Sequence, residues 1–475
     1  MNQTNHRYDA VVVGSGPNGL AAAITLAEAG KSVVVLEAAD TPGGGLRSAE
    51  LTRHGFIHDI CAAIHPLALA SPFFRRLDLS AHGLTWVHPP APLAHPLDDE
   101  PAVLFDRSLS RTAEALAHDR DAYMNMFKTP VDNWDKIIND LLRPLGIPSH
   151  PLLMMKMGPL LIRSAISTAR ARFKGHRARA LFAGNSAHSI MPLDRLSTAA
   201  FGIMLGMLGH GVGWPIVRGG SKNLATALES IFMTLGGEIK TCAHVESIED
   251  IPPSKAIFLD LAPRNIAEIE GLEFPNHYRD QLLSHKHGPG VFKIDWALDD
   301  PIPWKDPDCL RAGTLHIGGT LEEIAESEAA AWTEKPSGKP FVLLSQPSLF
   351  DKTRAPEGKH TAWAYCHVPN GCRLDMTARI ENQIERFAPK FTDRIIERHI
   401  MFPSDMRAHN PNYIGGDIAG GAQGLKELFI KPLGSWTPYV TPLKNVYICS
   451  SSMPPGAGAH GLCGRLAAKT HLRDE

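Results

Sequence analysis

The sequence predicts an α/β fold in which a discontinuous Rossmann-like domain is joined to a second domain made of a mixed sheet and a helical cap. Three stretches of the chain predict it. A strand, a glycine turn, a helix and a strand follow one another over residues 8–37, helix and strand patterns return over 211–248, and a strand, a glycine-rich loop and a helix occupy 445–472. We therefore expect one nucleotide-binding domain assembled from three separate parts of the chain.

The composition sets limits on partners and size. A chain of 475 residues, with 44% hydrophobic and 21% charged residues, is typical of a globular protein with two closely joined domains. The formal net charge of -2 gives no electrostatic reason to expect a nucleic acid partner.

The ends and the apolar runs of the chain predict where the protein resides. Seven residues precede the first predicted strand, too few for a secretory signal or a transit peptide. The longest apolar run, residues 196–209, is shorter than the roughly 20 residues that span a bilayer. We therefore expect a cytoplasmic protein without a transmembrane helix.

Residues 8–37 form the predicted dinucleotide-binding unit. A buried strand at 8–13 is followed by a helix of small residues at 20–29 and a second strand at 32–36. Glu37 stands at the end of the second strand. This order of elements is a βαβ unit.

Three glycines lie in the turn of this unit, and each has its own physical role. Gly14 permits the tight turn, Gly16 lets the backbone approach a pyrophosphate, and Gly19 lets the helix pack closely on the sheet. The helix N-terminus directs unpaired N–H groups at the phosphates. Glu37, eighteen residues after Gly19, is placed to accept hydrogen bonds from ribose hydroxyls.

Residues 77–210 do not alternate helices with strands, and we interpret them as the first half of a helical cap. Apolar residues recur at three- and four-residue spacing in segments 110–117, 119–142 and 160–173. Within the cap, residues 151–174 combine a leucine and methionine cluster with basic residues. Two interpretations are open: a buried helix pair with a solvated basic end, or an amphipathic helix in peripheral contact with a membrane.

The nucleotide-binding pattern returns after residue 211. It predicts a helix at 222–235, a strand at 238–241 and another strand near 244–248. These elements would rejoin the first sheet, so the cofactor domain is predicted to be discontinuous.

Between about 265 and 435 the chain carries the candidate strands of a mixed sheet. They are residues 290–298, 313–317, 341–345 and 361–367. In the first of them Phe292, Ile294 and Trp296 alternate with other residues, which indicates that one face of the sheet packs on a core or a cavity. This sheet and the helical cap together can enclose a substrate.

The C-terminal stretch repeats the order strand, loop and helix, at 445–449, 450–459 and 461–472. The N-terminus of this helix can face the same cofactor as the first helix, where its dipole would stabilise negative charge on a bound ring. The predicted domain segments are 1–76, 77–210, 211–264, 265–435 and 436–475. The first, third and fifth segments form the nucleotide-binding domain.

Cysteine and histidine spacing argues against a metal site. The seven cysteines are scattered without a CxxC pair, so they indicate neither a zinc site nor a redox-active disulfide. His54 and His58 have no third ligand at a suitable spacing, and we expect no metal.

Several motifs resemble those of the phytoene desaturase-like flavoproteins, and within them the group called pyridine nucleotide-disulphide oxidoreductase domain-containing protein 2. They are the opening glycine motif, the Gly43-Gly44-Gly45 turn, VRGGSKNLATAL, FKIDWAL, NPNYIGGDIAGG and NVYICSSSMPPGAGAHGLCGRLAA. These motifs extend from residue 8 to residue 469, so the resemblance covers nearly the whole chain.

The resemblance implies an FAD-binding domain of the glutathione reductase or amine oxidase type. It also implies FAD in an extended pose and hydride transfer from a carbon of an apolar small-molecule substrate to flavin N5. The residues that it assigns to FAD are Gly14, Ser15, Gly16, Pro17, Asn18, Gly19, Glu37, Ala38, Gly43, Gly44, Gly45, Leu46, Val245, Gly461, Leu462 and Gly464.

The chain departs from the family pattern in two places. Many relatives carry GGR after the acid, whereas this chain has Gly43-Gly44-Gly45 and then Arg47, so the usual contact between arginine and phosphate is not assigned. No second glycine motif follows a strand, because Gly288-Pro289-Gly290 precedes one. We therefore expect oxygen or a quinone as electron acceptor rather than NAD(P)H in a domain of its own. The sequence leaves the oligomeric state open.

A base is needed if a neighbouring group makes the substrate C–H bond acidic. The first candidate is His460, just before the C-terminal helix, and the second is His65; either can instead be a hydrogen-bonded loop histidine.

Three functions are compatible with the sequence. They are an FAD-dependent dehydrogenase, desaturase or oxidase, a redox-neutral flavoenzyme such as a double-bond isomerase, and a binding or assembly protein with structural FAD.

Overall fold

The computed structural model describes residues 8–144, 146–424 and 438–474, and the predicted boundary between residues 435 and 436 lies outside them. Its strands are β1 (Tyr8–Val13), β2 (Val33–Leu36), β3 (Ser48–Ala49), β4 (His58–Asp59), β5 (Trp86–Val87), β6 (Ala91–His95), β7 (Val103–Phe105), β8 (Ile216–Val217), β9 (Glu238–Lys240), β10 (Ser254–Leu259), β11 (Gly290–Leu298), β12 (Ala312–Ile317), β13 (Val342–Ser345), β14 (His360–Val368), β15 (Ile395–Met401) and β16 (Val446–Ile448). Its helices are α1 (Pro17–Glu28), α2 (Pro66–Ala70), α3 (Leu109–Ala115), α4 (Arg120–Asp132), α5 (Trp134–Leu141), α6 (Pro151–Leu161), α7 (Ala165–Arg172), α8 (His176–Ala187), α9 (Thr198–Gly211), α10 (Lys222–Thr234), α11 (Pro263–Glu268), α12 (Asn276–Leu283), α13 (Leu321–Ala330), α14 (Thr377–Phe387), α15 (Pro403–His409) and α16 (Leu462–Asp474).

The nucleotide-binding domain is built on a parallel five-stranded sheet in the order β16-β10-β1-β2-β9. Its central strands are continuous runs of buried valine because parallel sheets are covered by helices on both faces. Strands of this sheet come from the N-terminal, middle and C-terminal parts of the chain. The predicted discontinuous Rossmann-like fold is therefore confirmed.

Two glycines let helices pack closely in this domain. A Cβ atom at Gly464 of α16 would collide with the carbonyl oxygen of Asn18 in α1. A Cβ atom at Gly19 would collide with the carbonyl oxygen of Gly14. Only glycine permits these distances, so α1 lies tightly between the glycine turn and the C-terminal helix.

The second domain contains a seven-stranded mixed sheet in the order β15-β11-β14-β13-β12-β6-β7. The apolar residues that alternate along β11, including Phe292, Ile294 and Trp296, face a core that α14 completes. The residues between them, Lys293 and Asp295, therefore lie on the opposite face. That second face carries polar and aromatic side chains toward the other domain.

The predicted cap differs from the structure in two respects. Residues 77–210 also supply β6 and β7, which extend the mixed sheet, so this segment is not only helical. The segments predicted as single helices at 119–142 and 160–173 are each divided, the first at Asn133 and the second before Ser164, whose side chain caps α7 by accepting from Ser167 N. Within the described ranges, no helix is long and apolar enough to cross a membrane.

The strand predicted near 244–248 is wrong. Residues 242–247 form a loop, and the strand beside β1 is β10, which begins later in the chain. Periodicity favoured the wrong stretch because β10 is a short run whose register is set by pairing with β1, a partner more than 240 residues away.

Candidate active site

One cavity of about 990 Å³ extends from the glycine turn of the first domain to the face of the seven-stranded sheet that carries Trp363 and Tyr365. Most of the residues that the sequence assigns to FAD line it. They are Gly14, Ser15, Gly16, Pro17, Asn18, Glu37, Ala38, Gly44, Gly45, Leu46 and Val245. The residues predicted to contact phosphate, ribose and adenine thus line one cavity, as FAD in an extended pose requires.

Glu37 is buried, and hydrogen bonds occupy both of its carboxylate oxygens. Oε2 accepts from the backbone N–H of Ser15 at 3.0 Å and from the Ser15 hydroxyl. Oε1 accepts from Ala39 N and from Arg47 Nη2, each at 2.9 Å. A carboxylate has about four acceptor positions. A ribose that binds Glu37 therefore has to replace one of these donors.

Tyr413 lies against Gly45, the position at which the family pattern has arginine. A Cβ atom at Gly45 would collide with the Tyr413 hydroxyl oxygen, so a side chain at this position requires Tyr413 to move. Arg47 lies two residues later and pairs with Glu37 instead. The positive charge is retained beside the acid rather than at position 45.

Asp260 is a site residue that the sequence interpretation missed. It follows β10, and its Oδ2 accepts from the backbone N–H of Gly19 at 2.8 Å. Burial, together with the nearby charge of Glu37 and against the hydrogen bond from Gly19, raises the pKa of Asp260 to about 7. The signal was present, because the apolar run before Asp260 repeats the pattern of an acid at a strand end that identified Glu37.

Five residues assigned to FAD lie behind the cavity wall: Gly19, Gly43, Gly461, Leu462 and Gly464. Gly461 and Gly464 pack against α1 and its neighbours, and a Cβ atom at either position would collide there. The loop at 457–459 lines the cavity instead. The contact of Gly461, Leu462 and Gly464 with the flavin stays a prediction.

The side chain of His460 is hydrogen-bonded within its own loop. Its buried ring donates from Nε2 to Gly456 O at 3.1 Å and accepts at Nδ1 from Leu462 N at 3.1 Å. Burial lowers the pKa of His460 to about 4, and the residue is not part of the cavity wall. These bonds hold the loop before α16, and the catalytic role of His460 stays a prediction.

His65 does line the cavity. Its Nε2 lies 2.8 Å from the Ser221 hydroxyl, and its buried Nδ1 has no hydrogen-bond partner among the described residues. Burial lowers the pKa of His65 to about 4, which makes the ring a weak base. Its catalytic role stays a prediction.

The far end of the cavity is mostly apolar and aromatic. Phe201 and Met204 of α9 form one wall. Leu343, Trp363 and Tyr365 of the mixed sheet form the opposite wall, with the last two rings stacked at 6.1 Å. No group of three or more potential metal ligands occurs in the part of the chain that the structure describes.

The chain is similar to several known proteins. Residues 12–77 match the model of the NAD(P)-binding Rossmann-like domain. The chain is 30% identical to all-trans-retinol 13,14-reductase of Danio rerio, covering 96% of this chain and 84% of the relative. It is 25% identical to pyridine nucleotide-disulfide oxidoreductase domain-containing protein 2 of Mus musculus, over 98% and 94%. It is 22% identical to a lycopene-forming phytoene desaturase of Pseudescherichia vulneris, over 98% and 99%.

A solved structure supports the same fold. Putrescine oxidase aligns with a TM-score of 0.63 at 17% identity, over 99% of both chains. This likeness shows that the two proteins share one fold. Because the sequence relatives are similar over almost the full chain, the chain belongs to the phytoene desaturase-like family of FAD-dependent oxidoreductases.

Proposed function

We propose that this protein is an FAD-dependent dehydrogenase, desaturase or oxidase that acts on a largely apolar small molecule. One observation carries the proposal: the cavity that begins at the glycine turn continues without a break into the apolar space between α9 and the mixed sheet. A substrate in that space would lie end to end with the cofactor.

The residues of this chain have separate roles in this proposal. Bound FAD supplies the hydride acceptor. Gly14 and Gly16 would hold its pyrophosphate and Glu37 its adenosine ribose, and the loop at 457–459 would lie against its ring end. The apolar walls orient the substrate and exclude water, which is most of what a protein has to contribute to such a reaction. We propose oxygen or a quinone as the final electron acceptor.

Anaerobic mixing of the FAD-loaded protein with a panel of apolar alcohols, amines and polyenes tests this function. We expect at least one compound to remove the absorbance of oxidised flavin with one equivalent of product formed. Turnover that starts only after chemical reduction of the flavin would contradict an oxidative role and indicate an isomerase. Full flavin loading without turnover in either state would indicate an assembly protein.

Filling the substrate end of the cavity should separate substrate binding from FAD binding. We expect Met204→Trp to weaken the apparent affinity for an active panel compound by about 5- to 150-fold, because overpacking costs about 1–3 kcal/mol. Its FAD content should stay unchanged. Met233→Trp is the matched control, since Met233 is 50% exposed on α10. Equal kinetics of the two variants would contradict the placement of the substrate.

We also propose that the outer face of α6 rests on an anionic lipid surface. Leu152 and Met155 are 79% and 72% exposed and, with Ile162, form one stripe along and just beyond this helix. Residues 143–196 carry nine Lys and Arg and a single acid, although the whole chain has a formal charge of -2. α6 packs on α9, whose Phe201 and Met204 line the cavity, and Met157 of α6 is buried in the core.

Sedimentation with vesicles tests the lipid contact. We expect the protein to bind phosphatidylglycerol vesicles better than phosphatidylcholine vesicles, and less at high salt. Leu152→Asp with Met155→Asp should reduce binding by at least roughly tenfold, since each apolar side chain contributes about 1.5–3 kcal/mol when fully buried. Leu283→Asp on α12, where Leu283 is 40% exposed, is the control. Unchanged binding of the double variant would exclude this surface.

A further inference from the structure

Two histidines face each other at the substrate end of the cavity. His188 follows α8 and lines the cavity, and His316 on β12 is wholly buried behind it. Their Nε2 atoms lie 3.0 Å apart. Burial lowers the pKa of His188 to about 3 and that of His316 well below its ordinary value, so both rings are neutral. A hydrogen bond between two neutral rings contains one proton, which belongs to one of the two nitrogens.

The surroundings of His316 decide which ring donates. Its Nδ1 lies against Gly184, where an added Cβ atom would be 2.6 Å away, and has no hydrogen-bond partner among the described residues. A proton on this nitrogen would be a buried unsatisfied donor, and buried N–H groups without a partner are rare in proteins. His316 is therefore protonated at Nε2 and donates to Nε2 of His188.

This assignment fixes the proton of His188. Because its Nε2 accepts, the neutral ring carries its proton at Nδ1. No described residue hydrogen-bonds that nitrogen. Trp214 packs edge-on against the ring at 5.8 Å, and Ile190 and Leu205 line the same cavity. The one polar group near His316 that also lines it is the Thr314 hydroxyl, which forms no hydrogen bond with His188 or with any other described residue. A pure hydrocarbon in this space would leave the Nδ1–H group without an acceptor.

We propose that His188 Nδ1–H donates a hydrogen bond to a neutral carbonyl or hydroxyl oxygen of the substrate. The nature of the substrate in this inference rests on the proposed function, whereas the position of the proton on His188 does not. A neutral ring gives no charge compensation to a carboxylate, and the neighbouring His367 is already paired with Glu328 at 2.8 Å. The substrate class is thus an apolar molecule with one uncharged oxygen at the end that His188 contacts.

The tautomer can be measured in the FAD-loaded protein with nitrogen-15-labelled histidine. Long-range proton–nitrogen correlations distinguish a ring protonated at Nδ1 from one protonated at Nε2, and His188→Phe identifies the signal by its loss. We expect His188 to be protonated at Nδ1. Protonation at Nε2 would overturn the proposal. This measurement needs no turnover, so its result is independent of the anaerobic substrate screen.

A matched ligand pair tests recognition itself. The probes are 4-phenylbutan-2-one and its isosteric alkene 2-methyl-4-phenylbut-1-ene, with binding followed by tryptophan fluorescence because Trp214 and Trp363 line the cavity. We expect a preference of roughly tenfold for the ketone, the value of about one neutral hydrogen bond. His188→Phe should remove the preference, whereas His188→Asn, which keeps an N–H donor, should restore part of it. An undiminished preference for the ketone in His188→Phe would overturn the proposal. If neither probe binds, the tautomer measurement alone decides whether the proposal stands.

Discussion

Replacing Gly14 by valine is expected to abolish FAD binding. Gly14 has a φ of +98°, a backbone conformation that residues with a Cβ atom rarely adopt. A Cβ atom there would lie 3.0 Å from Asp260 O and 3.2 Å from Asp260 Cβ, so the turn has to move away from β10. The N-terminus of α1 would then no longer point at the pyrophosphate.

The ratio of flavin to protein absorbance after purification measures this effect. We expect at least a hundredfold loss of affinity, which is about 2.7 kcal/mol and within the cost of combined strain and lost phosphate contacts. Gly338→Val is the control, because no atom lies within 4 Å of a Cβ atom at that position. Circular dichroism shows whether the variant is folded. A folded Gly14→Val protein with full flavin content would refute the placement of the cofactor.

Asp260 should make the stability of the protein fall as the pH rises. The pKa of its buried carboxyl is raised from 3.8 to about 7, so between about pH 4 and pH 7 the folded protein keeps a proton that the unfolded chain has lost. Stability falls wherever the folded state binds more protons than the unfolded state. A pKa shift of this size lowers the free energy of unfolding by about 4 kcal/mol, and this loss is complete above pH 7.

Asp260→Asn isolates this contribution, because the amide oxygen can still accept from Gly19 N but carries no charge. The quantity to follow is the free energy of unfolding of the variant minus that of the parent. We expect this difference to rise by about 4 kcal/mol from pH 4 to pH 8. The buried histidines titrate in both proteins and cancel in this difference. Denaturant unfolding of the two apoproteins across this range measures it. A difference that does not vary with pH would contradict a protonated Asp260.

The sequence predicted the elements whose patterns are local. The unit at 8–37 was recognisable because strand, glycine turn, helix and acid follow one another directly. Strands β11 and β14 were also found within a residue of their bounds, since each is a long run with β-branched or aromatic residues. Strands β6, β7 and β10 were missed. β6 and β7 are short, and β6 and β10 are placed in their sheets by partners far along the chain, β12 and β1.

Site residues were harder to predict when one residue type serves two purposes. A glycine at the start of a helix lets backbone approach either a phosphate or another helix, and Gly464 does the second. His460 stands beside the expected flavin contact in sequence, yet its side chain turns back to the loop that precedes it. His188 belongs to no sequence motif. Only the hydrogen bond with His316 indicates which nitrogen of its ring donates into the cavity.

The departure at Gly45 has a physical explanation that required long-range information. Tyr413 occupies the space of a side chain at position 45, and these residues are far apart in sequence. Arg47 retains a positive charge close to Glu37. The nucleotide site therefore keeps its charge balance with a different arrangement of side chains.

A crystal structure of the FAD-loaded protein tests the central claim most directly. The account predicts one FAD per chain, with the adenosine beside Glu37 and Val245 and the flavin ring between His65 and the loop at 457–459. The substrate space between α9 and the mixed sheet should remain open next to the ring. FAD bound in the reverse direction, or outside the cavity that contains Gly14, would contradict the account.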